Sequence, residues 1–129
     1  MLLIVGCGDV GLRVARLLAG RWRVLALTSS AVRVGELRAA GIVPLLGDLD
    51  RPATLARLAD LADAVLHLAP PAPVGEIDLR SAHLMRALAR SGRLRRFVYG
   101  STSGVYGDCE GAASGPGRRR DARFVCRVR

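Results

Sequence analysis

Short apolar runs alternate with longer amphipathic stretches over the first hundred residues, a rhythm that predicts strands and helices in turn. Leu2-Leu3-Ile4-Val5 is an unbroken apolar run ending at Gly6, as in a strand buried on both faces. Asp9 to Ala19 predicts a helix with Val10, Val14, Leu17 and Leu18 on one face. Arg23 to Leu27 predicts the second strand. Ala31 to Ala40 predicts the second helix, with Gly41 placed to cap its C-terminus. Ile42 to Leu46 reads as the third strand. Asp50 is placed to cap a helix that has Pro52 in its first turn and Leu55, Leu58 and Leu61 along it. Ala64 to Leu68 is the fourth strand, and Pro70, Pro71 and Pro73 force a loop. Glu76 to Arg90 predicts a long helix with Leu84, Met85 and Leu88 inward, ended by Gly92. Arg96 to Tyr99 is the fifth strand.

Strands that alternate with helical stretches call for parallel βαβ units. Right-handed crossovers then give an α/β fold, a doubly wound parallel sheet of the Rossmann kind, with five strands ordered 3-2-1-4-5. That is one strand short of the six-stranded arrangement, with the C-terminal half of such a fold missing. After Asp108 the pattern stops. Gly111 to Gly117 is small and flexible, Arg118-Arg119-Arg120 follows, and only Phe124-Val125-Cys126 could add a fragment of strand. The expected organisation is a nucleotide-binding domain over 1–108 and a basic, disordered tail over 109–129.

Composition adds three constraints. Half of the 129 residues are apolar, enough for a real core in one domain. No apolar run approaches the roughly 18 residues of a membrane span, and no secretory leader is visible, so no membrane partner is expected. Cys7, Cys109 and Cys126 have no metal-like spacing, and a reduced cytoplasmic compartment is expected.

The basic residues are all Arg; the sequence holds no Lys. Residues 1–110 carry 14 Arg against 10 acidic residues, and residues 111–129 carry 6 Arg against 1 Asp. Over half of the net charge of +9 therefore lies in the tail. With only 4% aromatic residues there is no stacking platform, so weak, salt-sensitive contact and no specific nucleic-acid recognition are expected.

The chemistry begins at Gly6-Cys7-Gly8-Asp9-Val10-Gly11. This GxGxxG follows a predicted strand and opens a predicted helix, the context in which it binds a dinucleotide. Gly6 permits the turn, Gly8 lets a pyrophosphate approach the backbone, and Gly11 lets helix and strand pack closely. Free N–H groups near Asp9 and Val10 face the phosphates. A turn that merely joins strand to helix would use the same glycines.

The second strand ends in Leu27-Thr28-Ser29-Ser30, without the carboxylate that commonly binds the ribose hydroxyls of NAD. Thr28, Ser29 and Arg33 suit a 2′-phosphate instead, so NADP is expected, with NAD the alternative. Ser29 or Ser30 capping the next helix, with Arg33 solvated, is the plainer reading. Arg13 reads as an exposed helix residue. Asp48, with Leu49 beside it, could accept a hydrogen bond from an adenine amino group or serve only as a turn residue. Leu68, Ala69 and Pro70, at the end of the fourth strand, could let the ligand pass close to the backbone. His67 reads as a core histidine and His83 as a surface or interface one. Ser101, Thr102 and Ser103 follow the fifth strand at the same sheet edge, where hydroxyls can donate to a substrate carbonyl.

Together these motifs resemble the N-terminal part of the extended short-chain dehydrogenase/reductase family, the NAD-dependent epimerase/dehydratase type. The match runs over roughly 1–108 and ends in Ser101-Thr102-Ser103-Gly104-Val105-Tyr106-Gly107-Asp108. The resemblance implies hydride transfer at a nicotinamide on a small-molecule substrate, with Thr102 as the active-site Ser/Thr, supported by Ser101 and Ser103. It also implies a Tyr-x-x-x-Lys pair, and this chain has none: neither Tyr99 nor Tyr106 begins one. Arg127, near the expected Lys position, cannot serve as a tunable amine.

The expectation is therefore a dinucleotide-binding domain of a reductase-like protein, catalytically incomplete, with 111–129 the frameshifted or truncated end of a once longer reductase. The alternative is a nucleotide-binding redox-sensor or scaffold module without turnover. An open edge at the fifth strand would then favour a homodimer.

Overall fold

A computed structural model of the chain describes residues 1–71, 78–90 and 92–100, and the backbone of 125–126. At its centre lies β1 (Leu2–Val5), flanked in parallel by β2 (Val24–Thr28) and β4 (Ala64–His67). Outside these pair β3 (Val43–Leu46) and β5 (Arg96–Tyr99), both parallel. The parallel order is thus 3-2-1-4-5, as the alternation of elements predicts. A two-residue strand, β6 (Val125–Cys126), joins antiparallel to β5. The outer edge of β5, expected to stand open, is therefore paired at Phe97 and Val98.

The unbroken apolar run of β1 has its cause in the two layers around it. All four residues are buried. Leu2 and Ile4 face a layer with Ala15, Leu37 and Ile42, beneath α1 (Asp9–Leu17) and α2 (Arg33–Ala39). Leu3 and Val5 face the other layer, with Leu55, Leu58, Leu84 and Leu88. That layer is built from α3 (Leu79–Leu88) and a 3₁₀ segment, Pro52–Leu58. A central strand of a doubly wound sheet has no solvent face, so alternation disappears from its sequence.

Three local expectations change. The buried stripe of α1 is Gly11 and Ala15, with Val14 and Leu18 at its margin; Val10 and Leu17 are 59% and 80% exposed. Small residues bring the helix axis close to the sheet, and the larger side chains at 10 and 17 are rotated off the contact. On α3, Leu84 and Leu88 are buried but Met85, one position round, is 41% exposed. The segment after β3 is a 3₁₀ helix with Arg51, not Asp50, before it and no side-chain cap. Thr54 Oγ1 organises that turn, accepting from the Asp48 N–H at 2.8 Å and donating to the Arg51 carbonyl at 2.7 Å. Gly41 follows α2 with φ +73°, as expected of a residue ending a helix in the left-handed region.

Candidate functional site

The carboxyl ends of β1, β2, β3 and β4 open on a cleft of about 520 Å³. Gly6 makes its floor possible. Its φ is +82°, and a Cβ there would lie 2.4 Å from the backbone nitrogen of Ala69, so the turn after β1 passes directly against the end of β4. The Gly8 N–H donates to the Gly6 carbonyl at 2.9 Å, and the first rung of α1 is Leu12 N–H to Gly8 carbonyl, also 2.9 Å. Gly8 precedes the helix and has no side chain to cap it. The N–H groups of residues 9 to 11 lie before that rung, where no carbonyl of the helix reaches them.

Gly6, Gly8, Thr28, Ser29, Arg33, Asp48, Leu49, Leu68, Ala69 and Pro70, all singled out in the sequence, line this one cleft. Three others do not. Asp9 is exposed and pairs with Arg13 at 2.9 Å, Val10 points to solvent, and Gly11 lies under the helix. A Cβ on Gly11 would meet Cys7 Sγ at 3.1 Å and Ile4 Cγ2 at 3.2 Å, so its role is close helix–sheet packing. Ser101, Thr102 and Ser103 lie outside the described residues.

Cys7, Asp50 and Arg80 line the cleft without having been anticipated there; Ser30, weighed with Ser29 as a cap, lines it too, and neither serine caps α2, whose N-cap is Val32. Cys7 was visible as the residue between two glycines. Burial pushes its thiol pKa up, while the Arg33 charge pulls the other way. A protonated thiol is a poor nucleophile, so Cys7 reads as lining. Asp50 and Arg80 are thirty positions apart and carry no local signal. They form a fork, with Arg80 Nε 2.9 Å from Asp50 Oδ1 and Nη2 2.7 Å from Oδ2. That hydrogen-bonded guanidinium holds the Asp50 carboxyl below its usual pKa.

Arg33 is half-buried and bonded to Glu36, at 3.1 Å from Nε and 3.3 Å from Nη2. This bond lowers the Glu36 pKa and raises that of Arg33. Thr28 Oγ1 accepts from the Ser30 N–H at 3.2 Å, which turns the chain out of β2. Asp48 Oδ1 accepts from the Asp50 N–H at 2.9 Å, the turn role weighed for it, while the residue also lines the cleft.

Two histidines stand behind the site. His67 is fully buried, as expected, with Nε2 2.7 Å from Ser81 Oγ. Ser81 Oγ donates its one proton to Asp78, so it accepts from His67 Nε2. Burial lowers the His67 pKa. His83 is not a free surface residue: its Nδ1 donates to the Leu49 carbonyl at 2.7 Å, tying α3 to the loop after β3. Among the described residues no group of three or more His, Cys, Asp or Glu could hold a metal, and no helix is long and apolar enough to cross a membrane.

A glycine turn opening a helix at the first strand of a 3-2-1-4-5 sheet, facing a cleft across the strand ends, defines a Rossmann-type nucleotide-binding domain. The TrkA-N domain model matches residues 2–92, and the chain belongs to that family. No curated protein matches it in sequence. The fold is similar to that of Citrobacter sp. triphenylmethane reductase, solved with NADP(H), at TM-score 0.64 and 18% identity over 76% of this chain and 36% of that one. An Escherichia coli NADPH-dependent quinone oxidoreductase, solved with NADPH, is similar at TM-score 0.63 and 18% identity, covering 77% of this chain and 36% of that one. A short-chain dehydrogenase/reductase from Veillonella parvula gives TM-score 0.57 and 18% identity, with 83% and 49% covered. At these identities the likeness is one of fold. The chain spans about a third of the length of the first two.

Proposed function

We propose that the chain binds NADP, with NAD the weaker ligand, as the cofactor-holding part of a reductase-like protein. The carrying observation is the convergence of the Gly6–Gly8 turn and the carboxylate-free end of β2 on one cleft. The pyrophosphate lies against the backbone at the start of α1, where the helix dipole favours an anion. Thr28, Ser29 and Arg33 take the 2′-phosphate, and Asp48 and Leu49 flank the adenine. The NADP(H) and NADPH complexes of the two reductases support the same ligand here.

Bound NADP would supply hydride chemistry at its nicotinamide; this chain's described residues bind and orient it. Thr102, with Ser101 and Ser103, is the proposed contact to a small-molecule substrate. The 129 residues hold no Lys, hence no Tyr-x-x-x-Lys pair, and we expect cofactor binding with negligible turnover from them alone. Titration calorimetry of folded protein with NADPH and NADH tests the proposal. One binding event with NADPH, tighter than with NADH, is expected; no heat and no thermal shift with either would overturn it.

A further inference from the structure

We infer that Arg80 forms the stacking wall for the purine base, an inference that rests on the proposed dinucleotide binding. The cleft has three groups of lining residues. The glycine turn suits the pyrophosphate, and the end of β2 suits the ribose phosphate. The third group, Asp48, Leu49, Asp50, Pro70 and Arg80, is left for the base. It offers an apolar side chain at Leu49 and a guanidinium at Arg80.

The guanidinium is held from several directions. Its fork on Asp50 is bidentate, at 2.9 and 2.7 Å, and Nη1 lies 3.4 Å from the Pro70 carbonyl. Arg80 thus bridges the loops leaving β3 and β4. Its backbone sits in the first turn of α3, and the next residue anchors that turn to the sheet. The Ser81 N–H is capped by Asp78 Oδ1 at 3.1 Å, and Ser81 Oγ meets the buried His67. Bidentate bonds to a carboxylate lie in the guanidinium plane and leave its π-faces open. Arg80 lines the cleft, and a planar cation there favours an aromatic base, while pairing with Asp50 removes the net charge that would otherwise draw the phosphates there. The position is also fixed before a ligand arrives, so little side-chain freedom is lost on binding.

The test compares wild-type protein with R80K and R80A by calorimetric titration of NADPH and of adenosine 2′,5′-bisphosphate. Circular dichroism and a melting curve check each variant's fold. R80K keeps a cation for Asp50 and guards against a collapse of the loop; it removes the plane and the geometry of the fork. Both variants are expected to bind both ligands about five- to thirtyfold more weakly than wild type, the range of a cation–π contact. Wild-type affinity in R80K would overturn the inference, because charge alone would then suffice. Unchanged affinity in R80A would overturn it equally. If wild-type protein binds neither ligand, the dinucleotide reading itself fails and takes this inference with it; NADPH binding with insensitive variants sinks the stacking wall alone.

Discussion

The backbone nitrogen of Ala69 lies where a side chain on Gly6 would have to go, 2.4 Å from a Cβ built at that position. Two strand ends, β1 and β4, are therefore locked edge to edge beneath the cleft, and the contact is backbone on backbone. No rotamer change relieves it. The φ of +82° adds a strain that any L side chain would feel.

Gly6→Ala is accordingly expected to cost roughly 3 kcal/mol or more, combining left-handed strain with overpacking. Gly11→Ala meets only side chains, Cys7 and Ile4, which can give by a few tenths of an ångström. Its cost should be smaller, about 1–2 kcal/mol. Urea denaturation of the two variants checks the order; equal costs would contradict it.

Glu36, bonded to Arg33, competes with any phosphate for that guanidinium at the end of β2. Arg33→Ala should weaken NADPH binding roughly ten- to a hundredfold, the scale of lost charge-assisted bonds, and leave NADH nearly unchanged. Glu36→Gln acts the other way. It frees the guanidinium and removes a like charge, so NADPH should bind more tightly while NADH does not. Titrations with both cofactors at two salt concentrations read this out. A Glu36→Gln variant no better than wild type would mean that Arg33 does not meet the ligand.

His67 gives the fold a pH dependence. Its pKa is lowered from 6.5 by burial, while the unfolded chain takes up a proton near that ordinary value. Stability is therefore complete above about pH 6.5 and falls as pH drops below it, by at most about 1.4 kcal/mol per pH unit. It levels once the folded ring also protonates. Denaturation midpoints of wild type and His67→Leu between pH 7.5 and 5 test this. The variant should lose the slope over the upper part of that range, and a slope equal to that of wild type would refute the assignment.

How far the sequence went depended on how local each signal was. The β1 run, the glycine turn and the missing carboxylate after Thr28 were legible because each is a contiguous stretch whose meaning is set by its neighbours. The faces of α1 and α3 were misjudged because hydrophobic size was weighed above helix–sheet distance. Gly11 and Ala15 win the contact by being small. The Asp50–Arg80 fork could not be read at all, since it exists only once β3 and β4 lie in one sheet and α3 folds back across their ends. Asp50, read as a cap, caps nothing: its carboxylate is held in the Arg80 fork and its N–H by Asp48 Oδ1, and the 3₁₀ segment has no side-chain cap.

Amide chemical-shift mapping during an NADPH titration shows whether the dinucleotide's phosphates rest on the glycine turn. The largest changes should fall on the N–H groups of residues 6 to 11, with Thr28, Ser29 and Arg33 following. Large changes confined to the arginine-rich tail, with residues 6 to 11 unmoved, would contradict that placement.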